Sequence, residues 1–210
     1  FFSHAKKLNL RNSIFRDNTA SETIAKEYSR LLCNNIGVVT CNKIAAADAL
    51  DNYIELKKIS RKFGSPFLFE TNVGAGLPII DTLNNLIASG DQIIKIQAVL
   101  SGSLNFVFNS FKKGISFHDV VLQAQKEGYT EPDPKIDLSG IDVARKILIL
   151  ARESGMNIEL EEIENRSFLP KACMETKDNQ SFFESLIKES VRELINEVVD
   201  ERVQEAIDMK

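Results

Sequence analysis

The chain has 210 residues, 43% hydrophobic and 27% charged, with 26 basic against 30 acidic side chains and a formal net charge of −4. That length can bury one substantial core or two smaller ones, and the faintly acidic balance gives no basic footprint for nucleic acid or an anionic membrane. No apolar run approaches the roughly 20 residues of a membrane span, and "FFSHAKKLNL" is too polar to read as a secretory signal. Cys33, Cys41 and Cys173 are odd in number, widely spaced and without a CxxC pair, so free thiols in a reducing cytosol are expected. His4 and His118 are the only histidines and neither neighbours a cysteine, so no structural zinc site is expected.

In chain order, "NSIFRD" (12–17) reads as a short buried strand, and Ser21 opens a helical pattern through Ile24, Tyr28, Leu31 and Leu32. "IGVVTC" (36–41) is a second buried strand, bounded by Gly37 and Asn42. Strand, helix and strand at this spacing predict a βαβ unit with parallel strands. "AAADALDNYIELKKISRKFG" is helical with Gly64 as its C-terminal cap, and "PFLFET" is the next strand. "NVGAGLPIIDTLNNLIASG" starts as a Gly-rich loop and becomes a helix from about Pro78 to Gly90.

"QIIKIQAVL" (92–100) has the pattern of a strand, and "SLNFVFNSF" that of a short helix. "SFHDVVLQAQKEG" begins with a capping pattern, Ser116 to Asp119, and stops at Gly128. "IDVARKILILARESG" is a helix ending at Gly155, the segment "KACMETKDNQS" (171–181) should be the least ordered, and 181–208 is helical and charged.

The stretch "GYTEPDPKIDLSGIDVARK" (128–146) allows two readings. On a helical period Ala144, Ile147, Leu148 and Ala151 form the apolar stripe, which leaves Asp142 and Lys146 adjacent on the other face as a surface ion pair, with Ser139 as N-cap. Alternatively, Pro132 and Pro134 stiffen the loop and fix Glu131 beside the helix start, with Asp137 as a further carboxylate. A rigidly placed carboxylate next to a lysine suits recognition of an amino group and proton transfer to a carbonyl oxygen. Periodicity does not choose between them.

The stretch resembles the signature region of homoserine dehydrogenases. The resemblance implies that Lys146 is the acid/base lysine, that Glu131 and Asp142 bind substrate, and that Tyr129 and Asp137 border the same pocket. "DNTAS" (17–21) and "TCNK" (40–43) follow the two early strands, at the carboxyl ends where open α/β sheets bind ligands. By resemblance Thr19 contacts the cofactor, and Lys43 stands between cofactor and substrate; otherwise Lys43 reads as an exposed lysine. "SGSLNF" matches a substrate-side loop through Gly102 and Ser103, the latter in place of the threonine that many relatives have. "ETNVGAGLPII" (70–80) is weak as a phosphate loop, since it lacks GxGxxG. By resemblance it wraps a monovalent cation, usually sodium, with Glu70, Val73, Ala75 and Leu77.

The implied fold is α/β: the C-terminal part of a Rossmann-like nucleotide-binding domain over 1–71, then an α/β catalytic and dimerisation domain over 72–210 with a mixed sheet covered by helices. The implied reaction is the reversible reduction of L-aspartate 4-semialdehyde to L-homoserine with NADP or NAD, in threonine, methionine and isoleucine biosynthesis. Glu131, Asp142 and Lys146 are then expected to face one cleft with Lys43 across it. A cytoplasmic homodimer or higher oligomer is expected, with no nucleic-acid or membrane partner, and fusion to an aspartate kinase is an open option. Such enzymes begin with a dinucleotide fingerprint and end with a closing segment that this sequence lacks, so an internal piece, inactive alone, is expected. Two other readings stay open: an unrelated enzyme holding an anion in the Gly-rich loop, and a non-catalytic assembly fragment pairing through 92–100.

Overall fold

The computed structural model describes residues 12–112, 114–165 and 169–188. The described residues form two compact units: those up to Leu100 together with Ala144–Ile163, and those of Ser101–Val143 together with those after Ile163. Compactness therefore divides the chain after Leu100 and returns 144–163 to the first unit, whereas the sequence placed a boundary after residue 71.

The first unit is built on three parallel strands, β1 (Ile14–Asp17), β2 (Gly37–Thr40) and β3 (Phe67–Leu68), in the order β1-β2-β3. Ile14 lies opposite Gly37 and Asp17 opposite Thr40, while Val38 lies opposite Phe67. The central strand is the buried one. β1 is an edge with Ile14 64% exposed, so only its last residue, Asp17, is buried, contrary to the expected buried strand.

The single helix expected after Ser21 is two short ones, α1 (Glu22–Ala25) and α2 (Tyr28–Leu32). A tightened bond from the Glu27 N–H to the Ile24 carbonyl separates them, and such a local shift leaves the apolar spacing unchanged. Ser21 is the cap of α1, its hydroxyl accepting from the Ile24 N–H.

α3 (Leu50–Phe63) ends at Gly64, with φ 61°. It begins later than "AAADA" suggested, because the Leu50 N–H is taken by the distant Glu159 carboxylate at 2.9 and 3.1 Å. β3 covers less than "PFLFET"; a 3-10 turn at Glu70–Asn72 follows it, then α4 (Ile79–Ala88). Tyr28, Leu31, Leu32, Val38, Val73 and Ile149 are among the side chains of this unit's core.

The expected strand at 92–100 is absent: the segment is in no ladder, with Ile94 97% and Val99 80% exposed. An alternating sequence supplies only the side-chain pattern. A strand also needs a partner backbone, and the described residues supply none.

The second unit is helical among the described residues. It contains α5 (Gly102–Ser110), α6 (Phe117–Lys126) and α7 (Pro134–Leu138). Ser101 and Ser116 cap α5 and α6 through the Leu104 and Asp119 N–H groups. α8 (Ile141–Glu153) starts in this unit, and from Ala144 its residues belong to the first. α9 (Lys171–Met174) and α10 (Asn179–Lys188) complete it. The core gathers Val107, Val120, Val121, Leu138 and Phe182 with the fully buried Cys173. Residues 171–181, expected to be the least ordered, thus contribute a helix and a core side chain. Of the helix expected over 181–208, residues 189–208 lie outside the described residues. No described helix is long and apolar enough to cross a membrane.

Candidate functional site

In the first unit, polar side chains gather at the carboxyl ends of β1 and β2. Asp17, Tyr28, Thr40 and Asn42 are each at most 3% exposed. Asp17 accepts from the Tyr28 hydroxyl, from the Asn42 amide at 3.1 Å and from the Thr19 N–H at 2.8 Å. Burial alone would raise the Asp17 pKa, but hydrogen bonds led by the one from Tyr28 hold it below the ordinary carboxylate value. Thr19 itself is exposed, and its hydroxyl accepts from the Ser21 N–H at 3.1 Å. Lys43 is half-buried on the loop just after this cluster.

The Gly-rich loop turns through two consecutive left-handed residues, Gly74 (φ 79°) and Ala75 (φ 54°). Val73 is fully buried and Leu77 is 62% exposed. The Glu70 carboxylate caps α4: its oxygens accept from the N–H groups of Ile80 and Asp81, both at 2.8 Å. Those are the donors a helix N-terminus would offer a phosphate, so a carboxylate of the chain itself already fills the anion position. This geometry disfavours the anion-loop reading.

Lys146 is half-buried on α8, and its ammonium donates to the Leu100 carbonyl at 2.6 Å. Two turns further on, the same helix carries two buried charges that the sequence reading missed. The Glu153 carboxylate accepts from the Tyr53 hydroxyl, from Lys57 Nζ at 2.9 Å and from the Asn84 amide at 2.9 Å. Arg152 donates to the carbonyls of Ala46 at 3.2 Å and Asp48 at 2.6 Å, to the Ile158 carbonyl, and to Glu159 at 2.9 Å. Burial pushes the Arg152 pKa down while Glu159 opposes it, and burial followed by Glu153 pushes the Tyr53 hydroxyl up. The helix period could have exposed both residues: 152 and 153 lie four positions after Leu148 and Ile149, on the buried face.

In the second unit, Asp137 organises the proline loop. One oxygen accepts from the Ser103 hydroxyl at 2.7 Å and the other from the Glu131 N–H at 2.8 Å. Asp133 caps α7 by accepting from the Lys135 N–H, and Pro134 occupies its first turn. Glu131 is exposed, as is Gly102 at the start of α5, and Asp142 is half-buried. Tyr129 is 49% exposed and its ring stacks on Phe106 at 4.0 Å. The unit thus brings Ser103, Asp137 and Glu131 together, and the first unit holds Thr19, Lys43, Glu70 and Lys146. A cavity of about 300 Å³ in the first unit, lined by Glu22, Lys26, Asp48 and Glu55 among others, includes no expected site residue.

Three parallel strands with helices between them and a polar cluster at their carboxyl ends make the first unit a Rossmann-like α/β fold. A family model described as homoserine dehydrogenase matches residues 78–206, more than half of the sequence, and the chain belongs to the homoserine dehydrogenase family. The Haemophilus influenzae bifunctional aspartokinase/homoserine dehydrogenase is 45% identical over 175 residues, which are 83% of this chain and 22% of that one. The Schizosaccharomyces pombe homoserine dehydrogenase is 43% identical over 180 residues, 83% of this chain and 48% of that one. The chain therefore spans about a fifth of the bifunctional relative and about half of the fungal one.

Among solved structures, a Candida auris protein of unknown function is 37% identical with a TM-score of 0.80, over 89% of this chain and 52% of that one. A hyperthermophilic archaeal homoserine dehydrogenase in complex with NADPH is 30% identical with a TM-score of 0.63, over 72% of this chain and 49% of that one.

Proposed function

We propose that this chain carries the substrate loop and the proton-donating lysine of a homoserine dehydrogenase, which reduces L-aspartate 4-semialdehyde reversibly to L-homoserine with NADP or NAD. The observation that carries the reading is the Asp137 clamp, which ties the Glu131 backbone of the signature loop to the Ser103 hydroxyl on α5. The NADPH complex of the archaeal relative supports the nicotinamide cofactor. Thr19 and Lys43, on the loops after β1 and β2, would face that cofactor.

In the reducing direction the cofactor supplies a hydride to the aldehyde carbon. Charge then grows on the oxygen, and an ammonium stabilises it and donates the proton. Lys146 has that role, with Lys43 assisting. Glu131 and Asp142 hold the substrate ammonium, and Tyr129, Asp137, Gly102 and Ser103 shape the pocket. The proposal retains the division of labour between a nucleotide-binding part over 1–71 and a catalytic, dimerising part over 72–210.

Sodium at Glu70, Val73, Ala75 and Leu77, a cytoplasmic homodimer and fusion to an aspartokinase belong to the same reading. The bifunctional relatives support the fusion. Lone pairs left over on the Glu70 oxygens, and carbonyls of the twisted loop, suit a hard cation.

The test is substitution in the enzyme that contains this chain. Lys146→Met should lower kcat and kcat/KM together, since it removes a group needed in the transition state. Glu131→Gln should act mainly on the KM of the amino-acid substrate. Near-normal turnover in Lys146→Met would remove Lys146 as the proton donor.

A further inference from the structure

Four buried polar side chains lie where β1 and β2 end, and the ladder does not need them. The backbone bonds of the two strands already run from Ile14 opposite Gly37 to Asp17 opposite Thr40. A buried carboxylate is costly to desolvate, and a packed apolar side chain would often hold such a position at least as well. What the polar cluster adds is direction. The Asn42 N–H donates to the Thr40 hydroxyl at 2.8 Å. The Tyr28 hydroxyl gives its one proton to Asp17, so at 2.8 Å from Thr40 Oγ1 it acts as the acceptor.

The chain of donors is therefore Asn42 to Thr40 to Tyr28 to Asp17, each bond polarising the next. From the other side Asp17 receives the Thr19 N–H, and the Asn42 amide bridges Asp17 to the Ser21 carbonyl at 3.1 Å. Asn42 Oδ1 then accepts from the Ile44 N–H at 3.1 Å. Asp17 thus holds the Thr19 N–H and Asn42 the Ser21 carbonyl of the 17–21 loop, while Thr40 and Asn42 hold the Asn42 and Ile44 N–H groups of the 40–44 loop.

We infer that Asp17, Tyr28, Thr40 and Asn42 are positioning residues that lock the loops carrying Thr19 and Lys43 into one rigid body, and so set the geometry of the nicotinamide end of the cofactor site. The inference rests on the nicotinamide reading proposed above. Its mechanical part, the coupling of the two loops, is independent of that reading. Asp17 stays ionised through neutral pH, because the bonds from Tyr28, Thr19 and Asn42 outweigh its burial.

Tyr28→Phe is the gentlest probe. It keeps the ring, whose centroid lies 5.9 Å from that of Phe67, and removes only the hydroxyl. Asp17→Asn is the companion variant, and Ile59→Val in the same core serves as a control for lost stability alone. In the ligand-free enzyme that contains this chain, amide hydrogen exchange should speed up about tenfold at both 17–21 and 40–44 in Tyr28→Phe, the scale of one hydrogen bond to a charged group. Exchange within α3 should not change. The NADPH dissociation constant should rise by about the same factor, while the KM for the aldehyde changes little. Ile59→Val should leave both quantities alone.

Loosening of one loop without the other, or of neither, overturns the coupling. Coupled loosening with an unchanged NADPH constant overturns the link to the cofactor. Failure of the unaltered enzyme to bind NADPH at all counts against the proposed function, and the exchange data still decide whether the loops are locked.

Discussion

Glu153→Ala should be among the most damaging single changes in the first unit. The carboxylate is 1% exposed and holds together three elements: Tyr53 and Lys57 from α3, Asn84 from α4, and its own helix. Removing it leaves the Tyr53 hydroxyl buried without its acceptor, at a cost of about 1–3 kcal/mol. The Lys57 side chain is 29% exposed and can turn outward, so its loss is closer to about 1 kcal/mol. Asn84 is exposed and resolvates cheaply. The total is about 2–4 kcal/mol, which reaches the lower part of what breaking a buried pair costs.

Glu153→Gln keeps an acceptor for Tyr53 and should cost about half as much, in line with a charged bond becoming a neutral one. Urea unfolding at pH 7 followed by circular dichroism measures both variants. Tyr53→Phe should destabilise the wild type by at least about 1 kcal/mol more than it destabilises Glu153→Ala, because the two side chains share one bond. Equal effects of Tyr53→Phe in the two backgrounds, or a Glu153→Ala cost under about 1 kcal/mol, would refute the account of the network.

Two further outcomes are expected. Gly74→Ala should lower stability by about 1–3 kcal/mol, through its positive φ and a Cβ only 2.6 Å from Ile79 Cγ1. Gly76→Ala, with open space around it and no positive φ, should stay within about 0.5 kcal/mol, and parallel thermal melts compare the two. The buried Tyr28 and Tyr53 hydroxyls have pKa values raised by burial and then by Asp17 and Glu153 respectively. A folded value above the unfolded one, about 10, gives a contribution that is complete below that pH and is lost as pH rises beyond it. The melting temperature should thus fall above about pH 10, and less steeply once both tyrosines are phenylalanine. An alkaline limb of unchanged slope in that double variant would count against the assignment.

Local signals were legible in the sequence. Ser21 and Ser116 cap helices because a hydroxyl before an apolar period meets free N–H groups, and Gly64 ends α3 because it enters the left-handed region at little cost. β2 was legible because a β-branched run between turn residues has few other uses. The segment 92–100 was misread because strand formation depends on a partner that no local pattern contains. The late start of α3 was hidden for a similar reason: its cap is Glu159, more than a hundred residues away.

The candidate site divides along the same line. Family-like residues such as Glu131 and Lys146 could be named from their motif, but what holds them could not. Asp137 was expected to border a pocket; its bonds to Ser103 and to the Glu131 N–H also make it the organiser of the loop. Arg152 and Glu153 drew no expectation from the sequence, since charged residues near a helix end are mostly exposed. Their burial follows from the helix period, and a buried charge must find partners or be expelled. The partners it finds are the carbonyls of Ala46 and Asp48, just after Lys43, and the hydroxyl of Tyr53 on α3. The part of α8 that bears Lys146 is thereby tied, two turns downstream, to the backbone that follows Lys43. The placement of these two lysines within the first unit thus depends on charges that neither motif contains.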